Sequence, residues 1–349
     1  MAALRLSVLD QIPVPAGTTG PGALKNTLEL AKLADHLGYH RYWLAEHHGT
    51  TAIACPAPEI LIAAVADATK HLRVGSGGVM LPHYSPLKVA EQFAVLAGLH
   101  PGRIDLGIGR APGTDGTTSL ALQRDRSRHM PDDFPHQLAE LLAYLEDRMP
   151  AGHPFQKLQA LPGKPADEND RPQVWMLGSS PQSGQWAAEL GLPYAFADFI
   201  SPTGARIAGE YRRGFEPTPR EGRGLPAPEV LVAGWAICAE TDAAAERHAA
   251  SFRMMMALLM MGQQGFLPAV PPPEEALAWL AKNPVRSNPM MPGRRMLLGT
   301  PDKVKQGIED LAAEYGASEV MLVNIMHDHQ ARLRSYELIA EAFQLTPRE

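Results

Sequence analysis

Short apolar runs alternate with stretches of helical periodicity almost to the end of the chain. "LRLSVLD" (4–10) leads to a helix expected near 23–37, where Leu30, Leu33 and Leu37 share a face and Gly38 supplies the stop. "YHRYWLAEH" (39–47) is the next strand, with a helix from about Pro58 to Lys70. "LRVGSGGVML" (72–81) precedes a helix opened by Ser85 and Pro86, a good N-cap and first-turn pair. "GRIDLGIGR" (102–110) is followed by a polar loop and a helix near 134–147. "PQVWMLGSS" (172–180) runs into a helix opened by Ser180 and Pro181, and "LPYAFADFI" (192–200) into one near 203–214. "EVLVAGWAICAE" (229–240) and "SEVMLVNIMHD" (318–328) complete eight strand-like segments.

Eight consecutive right-handed βαβ units predict an α/β fold, the (β/α)8 TIM barrel, as one domain over 1–349. A doubly wound open sheet is the alternative, since strand order cannot be read from one sequence. Two stretches break the rhythm. Residues 216–229 are rich in Pro and Gly and read as a surface excursion. Residues 262–298 separate the seventh strand from its helix at Pro301 and are a candidate lid over the catalytic face.

Composition narrows the partners. The chain has 349 residues, 45% of them hydrophobic, and a formal charge of −6 without a basic block, so nucleic acid is not expected. Cys55 and Cys238 are too few and too far apart for a disulfide framework or thiolate metal site, and read as buried small hydrophobes in a reducing compartment. The start of the chain lacks the pattern of a secretory signal. "MMMALLMM" (254–261) is far shorter than the ~20 residues that cross a bilayer. A cytoplasmic protein without a membrane partner is expected.

In a barrel the functional groups gather at the carboxyl ends of the strands. Strand two ends in Glu46-His47-His48, strand four in Arg110, strand five in Ser179-Ser180, and strand eight in His327-Asp328-His329. The glycines of "GSGGVMLPHYSP" (75–86) mark either close approach of a flat ligand to the backbone or a kink that eases barrel closure. In "GSSPQSGQWAAELG" (178–191), Ser180 caps a helix and Ser183 lies one turn in. Free amides and hydroxyls there suit a phosphate, and Arg110 could add a bidentate contact. "GTPDKV" (299–304) is a rival phosphate site, ranked second because Asp302 already complements the helix dipole. No metal is expected: adjacent His47 and His48 should point to opposite faces of a strand, and strand one ends in Asp10-Gln11 rather than His-x-His.

Together, "YWLAEHHGT", "RVGSGGVMLPHYSPLKVAEQFAVL", "GRIDLGIGR", "GSSPQSGQWAAELGLP" and "LLGTPDKVKQGIEDLAAEYGASEVMLV" resemble, in order, the bacterial luciferase-like flavin-dependent monooxygenases. "GRAPGTD" and the closing "DHQARLRSYELIAE" resemble their small single-chain subgroup. The likeness covers most of the chain and is weakest at 216–229 and 262–298. It implies a barrel that binds FMN at its mouth, usually as a homodimer, with His47 as the active-site histidine. It also implies a cis peptide at Gly77-Gly78 under the flavin ring and phosphate contacts from Arg110, Ser180 and Ser183. Ser179 departs from the family's luciferase chains, which carry a glutamate there.

The expected activity is oxygenation of a small organic substrate with reduced FMN and O2, the reduced flavin coming from a separate flavin reductase. His47 would move the proton, Glu46 would orient a neighbour, and Asp115 and His329 are candidates to line the mouth. The Met-rich stretch is a candidate pocket wall, with core packing as its ordinary role. Alternatives are hydride transfer with the deazaflavin F420 on the same fold, and a flavin-binding protein without turnover.

Overall fold

Alternation along each strand sorts side chains between two cores, and that sorting closes the sheet. In the computed structural model, which describes residues 4–111, 114–123, 126, 133–167, 170–201, 204–217, 225–261, 267–283 and 295–349, the chain begins β1 (Arg5–Asp10), α1 (Gly20–Leu37), β2 (Arg41–Leu44), α2 (Pro58–Ala68), β3 (Arg73–Met80), α3 (Pro86–Leu99) and β4 (Ile104–Gly109). There follow α4 (Gly116–Leu122), α5 (Phe134–Glu146), β5 (Gln173–Gly178), α6 (Pro181–Glu189), β6 (Tyr194–Ala197), α7 (Ala205–Gly214) and β7 (Val230–Cys238). The chain ends with α8 (Asp242–Met260), α9 (Pro273–Lys282), β8 (Met296–Gly299), α10 (Pro301–Tyr315), β9 (Glu319–Val323) and α11 (His329–Phe343).

Strands β1 to β7 pair in sequence, β7 pairs β9, and β9 returns to β1, every pair parallel. These eight are the strands expected from the sequence. The closure is that of a (β/α)8 barrel and excludes the open sheet. Val230, Val232, Val320 and Leu322 point outward into the core beneath the helices, whereas Leu231, Ala233, Met321 and Val323 point inward. The period of two is that of an extended strand. Gly38 ends α1 in the left-handed conformation at φ 90°, as a glycine stop should. Among the described residues no helix is long and apolar enough to cross a membrane.

The insertion differs from expectation. A 19-residue helix, α8, follows β7 at once, and β8 adds a ninth strand along Trp235–Cys238 of β7. Residues 262–266 and 284–294 of the expected lid lie outside the described residues, as do 218–224 of the expected surface excursion. The described part of the insertion does reach the carboxyl end of the barrel. Val270 donates to Val14 O at 2.7 Å, accepts from Ala16 N at 2.9 Å, and is buried with Leu9 and Trp43 in the barrel interior.

The floor of the barrel is polar. Arg41 donates to Asp105 at 2.7 Å and to both oxygens of Glu319 at 3.1 Å, and Arg73 reaches the other Asp105 oxygen at 2.6 Å. Burial alone would raise the Asp105 carboxyl; Arg41 and Arg73 outweigh it and hold the group below its ordinary range. Above this layer Trp43 and Trp175 meet edge to face at 5.4 Å, with the Trp43 indole N–H donating to Asp105 at 3.0 Å.

Candidate active site

Gly77, Gly78, Arg110, Ser179, Ser180 and Ser183, drawn from three segments of the chain, line one cleft of about 310 Å³ at the carboxyl end of the barrel. Leu9, Trp43, Leu231, Ala233 and Met321 form its apolar inner wall. Its polar side chains are Arg110, just after β4, and Ser179, Ser180 and Ser183 at the start of α6.

The Gly77-Gly78 peptide is cis, and the β3–β4 register shifts between Gly77 and Val79. Both positions need glycine for the protein's own packing. A Cβ on Gly77 would stand 2.5 Å from Leu9 Cδ1; one on Gly78 would stand 2.4 Å from Leu177 Cδ1 and 2.7 Å from Gly107 O. Gly77 thus lets Leu9 and Trp43 close on β3, Gly78 lets β4 and Leu177 do so, and both residues line the cleft.

Helix α6 starts as its sequence demands. Pro181 occupies the first turn, and Ser180 Oγ accepts from Ser183 N at 3.3 Å. The Ser183 hydroxyl donates to Ser180 O at 2.8 Å and lies 3.1 Å from Tyr194 Oη. Tyr194, which the sequence reading missed, thus fixes Ser183 from behind, and burial pushes its phenol up to about 12. Two further missed residues line the cleft beside Arg110. The guanidinium carbon lies 5.7 Å from the Trp186 ring centre, and Trp186 stacks on Phe134 at 5.3 Å and 30°. Trp186 was legible only as an apolar residue one turn beyond Ser183. The rival segment 299–304 contributes nothing to the cleft, and its Lys303 pairs with Asp242.

The histidine segment divides its labour. Glu46 is buried and accepts from His48 Nε2 at 2.7 Å, Tyr84 Oη at 2.8 Å and Met80 N at 2.8 Å. It therefore orients neighbours, as expected, and ties the loop after β2 to the cleft wall at Met80. His47 does not line the cleft itself. Its backbone N donates to Cys55 O at 2.8 Å, and its buried Nδ1 has no hydrogen-bond partner among the described residues. Burial, against smaller opposing effects of the Ala45 backbone and Glu46, lowers its pKa and favours neutral imidazole.

The other candidates fall elsewhere. Asp115 caps α4, accepting from Thr118 N at 2.9 Å, and His329 lies 3.2 Å from Glu29. Neither lines the cleft. Met254 and Leu258 pack against α9, and Met255 and Met256 against the barrel interior, so residues 254–258 are core, while Leu259, Met260 and Met261 are exposed. Asp10 is consumed by Arg332 at 2.6 Å, Tyr42 at 2.6 Å and Thr27 at 2.9 Å. Among the described residues no group of three His, Cys, Asp or Glu could hold a metal ion. Cys55 and Cys238 are both buried, and burial pushes the Cys238 thiol up to about 12.

Comparison with known proteins bears on this arrangement. The family model for luciferase-like monooxygenases matches residues 4–319. A luciferase-like monooxygenase of Escherichia coli is 40% identical, the match covering 96% of each chain. An N-acetyl-S-alkylcysteine monooxygenase of Bacillus subtilis is 34% identical over 97% of this chain and 98% of its own. The crystal structure of apo-MsnO8 superposes with a TM-score of 0.87 at 42% identity, covering 99% of this chain and 100% of that one. At 21% and 16% identity the fold alone is shared with an FMN complex of the oxygenating component of 3,6-diketocamphane monooxygenase from Pseudomonas putida and with an F420-dependent secondary alcohol dehydrogenase, at TM-scores of 0.70 and 0.68.

Proposed function

The chain belongs to the luciferase-like monooxygenase family of flavin-dependent enzymes, and from that premise we propose that its cleft binds reduced FMN for the oxygenation of a small, largely apolar organic compound. The observation that carries this reading is the convergence of Gly77, Gly78, Arg110, Ser179, Ser180 and Ser183 on one cleft. Reduced FMN, delivered by a separate reductase, supplies the electrons and the reactivity toward O2.

The residues present fit that group. The start of α6 offers the positive end of its dipole and the Ser180 hydroxyl to a phosphate, with Arg110 as the cationic partner. The bare backbone at Gly77-Gly78 and the wall of Leu9, Trp43 and Met321 suit a flat aromatic ring. That wall also keeps water from the reacting centre. His47 lies outside the cleft lining, but its lowered pKa and an Nδ1 with no partner among the described residues suit it to accept a proton once it reaches the cleft, and Glu46 ties its loop to the cleft wall at Met80. A thioether is the first substrate class to screen, because the Bacillus relative is named for one.

The test mixes the protein with reduced FMN anaerobically and then with O2, following flavin reoxidation. Reoxidation kinetics distinct from those of free flavin, and altered in His47→Ala, are expected. Reoxidation at the free-flavin rate, or binding of F420 in place of FMN, would overturn the reading.

A further inference from the structure

This inference rests on the reading of His47 as the group that moves the proton. We propose that Asp10, the last residue of β1, is a positioning residue: it fixes the turn at Ile12 on which the backbone around His47 hangs. Asp10 shares the outer face of its strand with Leu6 and Val8 and does not line the cleft, so it acts there only through the backbone. Its carboxylate is buried. One oxygen accepts from Ile12 N at 2.7 Å and from Arg332 at 2.6 Å; the other accepts from Tyr42 at 2.6 Å and Thr27 at 2.9 Å.

Ile12 is the residue that needs fixing. Among the described residues, Ile12, Asp147 and Gln344 have positive φ without being glycine. Asp147 and Gln344 end α5 and α11, where a left-handed residue is ordinary. Ile12, at φ 55° and 1% exposed, is β-branched and ends no helix, so its conformation persists only where its surroundings impose it. The bond from its N–H to the Asp10 side chain, two residues back, is that constraint. From there backbone contacts run to His47. Ile12 O accepts from Ala54 N at 2.9 Å, Pro13 bridges Ile53, and Val14 N donates to Ala52 O at 2.9 Å. Cys55 O, next in line, accepts from His47 N at 2.8 Å, and Ala45 N donates to Asp10 O at 3.1 Å. With the backbone held at Ala45 and at His47 itself, His47 keeps its side-chain torsions for reaching the cleft.

The test removes the constraint without stranding a charge. In an Arg332→Met background, Asp10→Asn keeps an acceptor for Ile12 N, and Asp10→Leu, of similar shape, removes it. Both exchange a buried ion pair for neutral groups, which folds tolerate. Amide hydrogen exchange is followed by NMR on each full-length protein, together with binding of reduced FMN and its reoxidation by O2. Exchange at Ala54 and His47 should be about tenfold faster in the leucine variant than in the asparagine variant, with Val74 and Leu322 in the barrel strands alike in both. Reoxidation in the leucine variant should move toward that of His47→Ala and in the asparagine variant stay near the wild type, with FMN affinity within about twofold in both. Equal exchange at Ala54 and His47 in the two variants, or equal acceleration at Val74 and Leu322, would overturn the proposal. So would identical reoxidation despite unequal exchange. If His47→Ala reoxidises flavin as the wild type does, or the wild type binds no reduced FMN, the reading of the site falls and this role with it. The exchange comparison, which needs no flavin, tells that failure from a failure of Asp10 itself.

Discussion

At the amino end of the barrel Arg41 lies between Asp105 and Glu319, Arg73 closes the other side of Asp105, and Trp43 donates to the same carboxylate. At the carboxyl end Arg110 rests against an indole, Ser180 caps a helix whose start lines a cleft, and His47 Nδ1 is buried without a partner among the described residues. Both ends place polar groups in or against a low-dielectric barrel, where an unmade bond is expensive. The floor makes its bonds internally and therefore serves stability. The mouth instead sets Arg110 and the serines at the start of α6 in the lining of a cleft, where another molecule can reach them.

Substitutions at the two ends should separate along that line. Arg41→Ala would leave the buried Glu319 with only Ser7 and the half-exposed Arg5 and remove a main partner of Asp105, at a cost of about 3–5 kcal/mol measured by denaturant unfolding. FMN affinity of the fraction that remains folded should stay unchanged; a large affinity loss there would erase the distinction between the ends. Ser180→Ala should cost only about 1 kcal/mol of stability as a lost cap, yet weaken FMN more than riboflavin. Equal weakening would place the phosphate elsewhere.

A smaller effect emerges only in acid. His40, beside the floor, is pushed down to about 3, first by burial and then by Arg41 and Arg5. Its folded pKa lies below the ordinary value of 6.5, so the unfolded chain binds the proton more readily. Stability should fall as pH drops from about 6.5 toward 3. His40→Gln should flatten that limb in pH-dependent unfolding, and an unchanged limb would show that other groups set it.

Much of the barrel was legible. Eight strands carried period-two or fully apolar runs, and Gly38 and Ser180-Pro181 announced helix ends by local chemistry alone. Helix α8 was passed over although Ala245, Ala249 and Phe252 fall at helical spacing, because alanines give a face little hydrophobic contrast. The six cleft residues were flagged by local chemistry, glycines within a strand, a capped helix start and an arginine at a strand end, and the segment resemblance then joined them into one site. Partners distant in sequence stayed invisible: Asp10 with Arg332, Ser183 with Tyr194, Arg110 with Trp186. Each depends on where two elements pack, and no pattern within either element states it.

The most direct test of the account is a crystal structure of the protein with FMN. The account predicts the phosphate at the start of α6, bonded to Ser180 and Arg110, with the ring along Gly77-Gly78 and His47 beside it. A phosphate at residues 299–304, or a flavin ring outside the barrel mouth, would contradict it.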